Sequence, residues 1–288
     1  MASNARASPL RLGSLVIQPV SDGVLRLDPS DIFADAAPEE WQPHVPRDDH
    51  GRVELGLTCL LVKAGERRIL VDTGFGHRSD SSELGLLSRN MSQLGVAPHE
   101  VDAVVISHPH GDHIGGATTG TGKNVRLSYA RARYWLGTAD WDHFSRPDSL
   151  ARAQLLVDKL LPLAAAEQLD LADGGREIAP GVRLLPLPGH TPGHIGVAFT
   201  SGQQMAVYVG DMIHHPLQIE HPDWCPTFDA LPPLSRATRR ALLDRARREG
   251  SLVLSYHLPF PGIGRIDGSW SPSPSGRGGA SNRLHCAK

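Results

Sequence analysis

Seven consecutive residues, Ser107-His108-Pro109-His110-Gly111-Asp112-His113, place three imidazoles and a carboxylate within six positions at the end of an apolar, strand-like run over 102–107. A helix would splay these side chains around its axis, whereas a Gly- and Pro-containing turn lets them converge. Imidazole and carboxylate are the donors that suit zinc and neighbouring first-row metals. One such histidine alone would read as a solvated loop residue. The H-x-H-x-D-H set has few purely structural uses, and it constrains the fold to one that ends a strand in a convergent polar turn.

A site for two metals needs more donors than one turn offers, so further His and Asp residues are expected at strand ends downstream. Gly189-His190-Thr191-Pro192-Gly193-His194 follows the apolar run 184–187, Gly210-Asp211 follows 206–209, and Tyr256-His257 follows 252–255. His44, His50, His77, His99, His143, His221 and His285 have no strand-end partners and are expected to be solvated.

The remaining pattern predicts alternating strands and helices. Residues 14–27 read as strand, and 57–62 with 68–71 as a hairpin around Ala64-Gly65-Glu66. Helix is predicted over 81–94, 131–143, 149–165 (broken at Pro162) and 235–249. Further strands are predicted over 125–130, 182–187, 195–200, 205–209 and 252–255. The two halves repeat one layout without a sequence repeat, which predicts an α/β fold of the αββα four-layer sandwich type. Residues 1–13 are expected to be a flexible N-terminus, 14–270 a single domain, and the Ser/Pro/Gly-rich 271–288 a disordered tail. The stretch 28–49 reads as a long loop, which makes Phe33 and Trp41 candidates for a substrate-pocket wall, with His215, Trp224 and Phe260 beside the strand-end motifs.

A net charge of -2 over 288 residues gives no basic footprint for phosphate backbones, so a small-molecule substrate is expected and nucleic acid is not. Cys59, Cys225 and Cys286 are too scattered for a zinc ribbon or disulfide framework. No apolar run approaches a membrane span. A cytoplasmic protein without membrane partners is the resulting expectation.

These segments, in this order, resemble the motifs of the metallo-β-lactamase superfamily over about 57–267. The resemblance implies a first metal held by His108, His110 and His190, a second held by Asp112, His113 and His257, and Asp211 bridging both along with a hydroxide. Asp72, in Val71-Asp72-Thr73-Gly74, would orient a ligand histidine by accepting its spare N–H. Two divalent ions are implied, zinc first, with manganese, iron or cobalt as alternatives, and a homodimer is a family trait. Within the superfamily, residues 255–264 and 210–218 look most like the methyl parathion hydrolase branch, which is close to the N-acyl homoserine lactone lactonases. The better-known lactonases carry a Tyr three residues after the bridging Asp, and His214 stands there instead.

The implied function is dinuclear-metal hydrolysis of an uncharged ester-type bond, a lactone or carboxylic/aryl ester, with an organophosphate triester as the alternative. Asp112 or Asp211 would carry a proton to the leaving group, and His214 would donate to an oxyanion or leaving group. The chain has no G-x-S-x-G, against a serine esterase. Readings of another class are a non-catalytic binding protein on the same fold, which the complete ligand set opposes, and a mononuclear iron thiol oxygenase, which metal content would separate.

Overall fold

The computed structural model describes residues 7–273. The first seven-stranded sheet contains β1 (Leu10–Leu12), β2 (Leu15–Leu27), β3 (Val53–Ala64), β4 (Arg67–Val71) and β5 (Ala103–Val105). A two-stranded ribbon of β6 (Thr118–Thr119) and β7 (Arg126–Leu127) lies outside it, and β8 (Arg133–Gly137) and β9 (Leu169–Ala172) complete it in the order β1-β2-β3-β4-β5-β8-β9. The second sheet runs in sequence order through β10 (Glu177–Ala179), β11 (Val182–Pro186), β12 (Ile195–Ser201), β13 (Gln204–Tyr208), β14 (Leu252–Leu254), β15 (Ile263–Asp267) and β16 (Ser269–Pro272).

The period of two along each strand decides which layer a side chain enters. On β13, Ala206 and Tyr208 belong to the main core shared by both sheets, while Val207 between them faces a second core with Leu242, Leu243 and Ala246 of the helix Pro232–Glu249. Leu252 and Leu254 of β14 alternate with Val253 in the same way. Leu87 and Met91 of the helix Leu87–Gln93, together with Leu156, cover the first sheet. The result is the expected αββα sandwich.

Parallel pairing occurs where the polar turns emerge: β4 with β5, β5 with β8, and β13 with β14. Parallel strands share a carboxyl-terminal edge. Asp72, the 107–113 turn, Asp211 and His257 therefore leave their strands on the same side of the molecule, and His190 follows β11 to join them.

Several expectations are corrected. Residues 131–143 are not one helix: Arg133–Gly137 is β8, because a Tyr-Trp-Leu run fits a strand flanked on both sides by parallel neighbours better than a helix face. Only Leu87–Gln93 of 81–94, and only Arg126–Leu127 of 125–130, take the predicted form. The segment 28–49 contains the helices Pro29–Ile32 and Pro38–Trp41, each opened by a proline at its first turn. The limits 14 and 270 cut through structure, since Leu10 and Leu12 turn inward on β1, and Ser271 and Pro272 pair with Arg265 and Gly264. The rest of the expected tail, 274–288 with His285 and Cys286, lies outside the described residues, as do 1–6. Among the described residues no helix is long and apolar enough to cross a membrane.

Candidate metal centre

Asp72 sits at φ 60°, a left-handed conformation that a short polar side chain tolerates better than most. Its backbone N–H donates to Val105 carbonyl at 2.8 Å, and its carboxylate accepts from Ser107 N–H at 2.7 Å, Ser107 Oγ at 2.8 Å and Tyr208 hydroxyl at 2.5 Å. The same carboxylate lies 2.9 Å from Nδ1 of His113. The kink after β4 thus clamps the turn after β5. Gly210, at φ 50°, opens the Asp211 turn, and a Cβ there would stand 2.5 Å from Nε2 of His194. That nitrogen accepts from the Asp211 N–H at 3.1 Å, so His194 is buried as a support of Asp211 rather than within the donor cluster.

Donor atoms of His108, His110, His190 and Asp211 all lie within 4.8 Å of one another, as do those of Asp112, His113 and His257, and those of Asp211, His214 and His257. Asp211 belongs to two of these groups. One of its oxygens is 3.1 Å from His113 Nε2, and the other is 3.3 Å from Nε2 of both His190 and His257. His214 Nε2 approaches that second oxygen at 3.3 Å, and its ring stacks on His257 with centroids 5.0 Å apart.

The outward nitrogens have partners of their own. His190 Nδ1 is 2.9 Å from Asp229 Oδ1, His257 Nδ1 3.0 Å from the Gly56 carbonyl, and His108 Nδ1 3.1 Å from Ser107 Oγ. An acceptor on one ring nitrogen fixes the proton there and leaves the other as a lone pair. The inward nitrogens of His108, His110 and His190 then face one another at 2.9–3.2 Å. Protons do not relieve this crowding. Burial and the neighbouring His113 push His108 well below its usual range, and burial with the nearby His190 takes His110 to about 3. His113 Nε2 and Asp211 Oδ1 are buried without a hydrogen-bond partner despite their close approach. Converging lone pairs with orphaned donor atoms, backed by acceptors, fit a pair of divalent cations.

Electrostatics differ across the centre. Burial opposes a charge on His113, yet the carboxylates of Asp211, Asp112 and Asp72 outweigh it and hold the ring well above its usual range. Burial would raise Asp112, but His113 and His257 hold it down to about 2. His214 falls to about 4, through burial first, against its contact with Asp211.

A cavity of about 910 Å3 opens beside His214 and His257. Of the five expected wall residues, only His215 lines it. Phe33, Trp41 and Trp224 pack on one another instead, Phe33 and Trp41 stacked at 5.6 Å and Trp224 edge-on at 5.9 Å, and Phe260 is half-buried beside the lining residue Pro259. His44 and His221, read as solvated, are exposed and line the cavity. Its wall carries Glu39, Glu40, Glu54 and Glu220, and no Lys or Arg.

Sequence reasoning missed two carboxylates. Asp229 backs His190, and Asp140 accepts from Thr191 Oγ1 at 2.7 Å and the Gly193 N–H at 2.6 Å, bracing the loop that carries His190. Asp229 follows no strand and Asp140 lies inside the helix after β8 rather than at the strand end, so the pattern that exposed the donors is silent about both. Phe144 and Phe228, whose rings approach His110 and His190 edge-on, were missed for the same reason.

The chain is similar to several known proteins. A "Probable metallo-hydrolase" from Mycobacterium tuberculosis is 28% identical over 195 residues, 56% of this chain and 58% of its own length, so the match spans little more than half of that relative. An N-acyl homoserine lactonase from Bacillus thuringiensis is 26% identical over 188 residues, 55% of this chain and 68% of its own. Among solved structures, the hydrolase AbOPH superposes with a TM-score of 0.83 at 23% identity, covering 93% of this chain and 98% of its own. AidC, a dizinc quorum-quenching lactonase in complex with a product, superposes with a TM-score of 0.81 at 25% identity, covering 93% and 97%. The model of the metallo-beta-lactamase superfamily matches residues 53–257, the span that holds every donor of the centre, and the chain belongs to that superfamily.

Proposed function

We propose that this chain is a dinuclear metal-dependent hydrolase of uncharged esters, with lactones as the first substrate class. The observation that carries the reading is Asp211, whose carboxylate faces both histidine groups and touches His214 and His257, which line a cavity that has acidic but no basic side chains. The lactonases among the relatives and solved structures support the same class. Zinc is the first choice of metal on its donors. When bound, two such cations supply Lewis acidity and a water acidic enough to serve as nucleophile near neutral pH.

The chain's own residues orient and complete that chemistry. His108, His110 and His190 would hold one cation and Asp112, His113 and His257 the other, with Asp211 offering an oxygen to each. Asp112, ionised at neutral pH, is placed to accept a proton from the attacking water and return it to the leaving oxygen. His214 is neutral at pH 7 and lines the cavity, and its Nε2, which faces the Asp211 carboxylate at 3.3 Å, is the ring nitrogen that carries the proton and would offer it to a developing oxyanion. An anionic phosphomonoester would meet four glutamates in the cavity and no cationic side chain to pair with.

Activity of the zinc- and manganese-loaded protein against lactones, aryl esters, phosphotriesters and phosphomonoesters tests the reading. Chelator-sensitive turnover of lactones or aryl esters is expected. Turnover confined to phosphomonoesters, or turnover that survives removal of metal, would overturn it.

A further inference from the structure

Arg239 is the largest fully buried side chain among the described residues. It sits within the helix Pro232–Glu249, remote in sequence from every donor of the centre. All five of its N–H donors are matched. Nε donates to the Met212 carbonyl at 2.6 Å, Nη1 to the carbonyls of Pro222 at 2.8 Å and Trp224 at 3.1 Å, and Nη2 to Asp229 Oδ2 at 3.4 Å and Ser235 Oγ at 3.2 Å. A buried guanidinium is costly to desolvate, and a helix that only covered a sheet would bury leucine there, as this one does at Leu242 and Leu243.

The acceptors share a location. Met212 follows Asp211 directly, and the second oxygen of Asp229 lies 2.9 Å from Nδ1 of His190. One planar fork therefore ties together two of the three arms that the second sheet extends into the centre, the His190 loop and the Asp211 turn. We infer that Arg239, acting through Asp229, is the positioning residue that holds His190 and Asp211 in register for the first cation. It touches neither cation nor substrate. Lysine cannot replace it, because three donors on a flexible stem do not reproduce a five-donor fork.

This rests on the metal-site part of the proposed function and not on the substrate. The test is zinc binding to the full chain, by competition with a chromophoric chelator, for wild type, Asp229→Asn, Arg239→Lys, the double variant and the control Arg245→Gln, which alters a side chain paired with Glu249 on the exposed face. Asp229→Asn leaves one acceptor oxygen for two donors, those of His190 and Arg239. Each single variant is expected to weaken the site of His190 about 10–100-fold. Asp229→Asn, which leaves the Asp211 turn tied, should change the other site by less than about twofold, whereas Arg239→Lys, which also releases the Met212 carbonyl, should weaken it too, though less than the first. The double variant should lose no more than the worse single one, and the control should match wild type.

Melting temperatures of the metal-stripped proteins separate packing from positioning. Affinities that stay within about twofold of wild type in both single variants, or that fall equally at both sites in step with melting temperature, would overturn the inference. Should Arg239→Lys fail to fold, Asp229→Asn decides alone, since it keeps the guanidinium in place. A wild type that binds no zinc would overturn the metal site and this inference together, whereas one that binds two zincs but hydrolyses no ester would overturn the substrate reading only.

Discussion

The Asp211 carboxylate approaches histidines of both donor groups, so its replacement should be felt by both cations. Asp211→Asn keeps the shape but removes the charge that offsets His113, His257 and His108, and elemental analysis should find well under one metal per chain. His257→Ala, in contrast, should leave close to one. Equal losses in the two variants would rule out a shared role for Asp211. His214 calls for a kinetic measurement. If it donates to the leaving oxygen, His214→Phe should lower kcat/KM for a lactone by about 10²–10⁴-fold while sparing a nitrophenyl ester, whose leaving group needs no proton. An equal loss on both would remove it from proton transfer. Asp140 makes a pH prediction. Burial takes its carboxyl up to about 6 against hydrogen bonds from Thr191 and Gly193. The folded chain then keeps a proton that the unfolded chain releases near 3.8, so stability falls as pH rises from about 4 to 6 and is flat beyond. Asp140→Asn, whose amide still pairs with the Thr191 hydroxyl, should remove up to about 3 kcal/mol of that decline, as read from urea unfolding of metal-stripped protein across that range. An unchanged slope would mean the carboxyl stays ionised when folded.

Among the elements, strands that end in donors were the most legible. β5, β13 and β14 announce themselves as short apolar runs followed by His or Asp, because a strand buried on both faces has no polar alternation to blur its end. β8 was misread as helix, since its aromatic residues fit either form and only its parallel neighbours decide. The segment after β2 shows the opposite error. Its aromatics were legible as important, but Phe33, Trp41 and Trp224 build a separate small core that carries the loop, with Val45, Val53 and Leu55 beneath. Phe33, 1% exposed, is therefore a stability residue. Phe33→Ala should cost about 3–5 kcal/mol, seen as a lower urea midpoint, and a cost below about 1 kcal/mol would show that the loop is only draped on the surface.

At the scale of the whole molecule, the centre joins two sheets that also meet through apolar packing and through hydrogen bonds such as Thr58 N–H to the Tyr256 carbonyl and the Tyr208 hydroxyl to Asp72. The first sheet supplies His108, His110, Asp112 and His113, and the second supplies His190, Asp211 and His257. Cations bound there bind only the assembled fold, so zinc at 100 times its dissociation constant should add about 2.7 kcal/mol per site. Stripping it should lower the calorimetric melting temperature by about 5–10 °C, and an unchanged value would mean that the ligands are not shared between the halves. The sequence by itself pointed to the two-sheet fold, to most of its strands and to the candidate donors at strand ends, because burial periodicity and the choice of metal-type residues are both written locally in the chain. Tertiary structure alone decided which carboxylates stand behind those donors, since Asp229 reaches His190 across 39 positions and Asp140 reaches Thr191 across 51. It also decided what walls the cavity, because loops that meet only after the sheets have packed leave no periodic trace in the sequence.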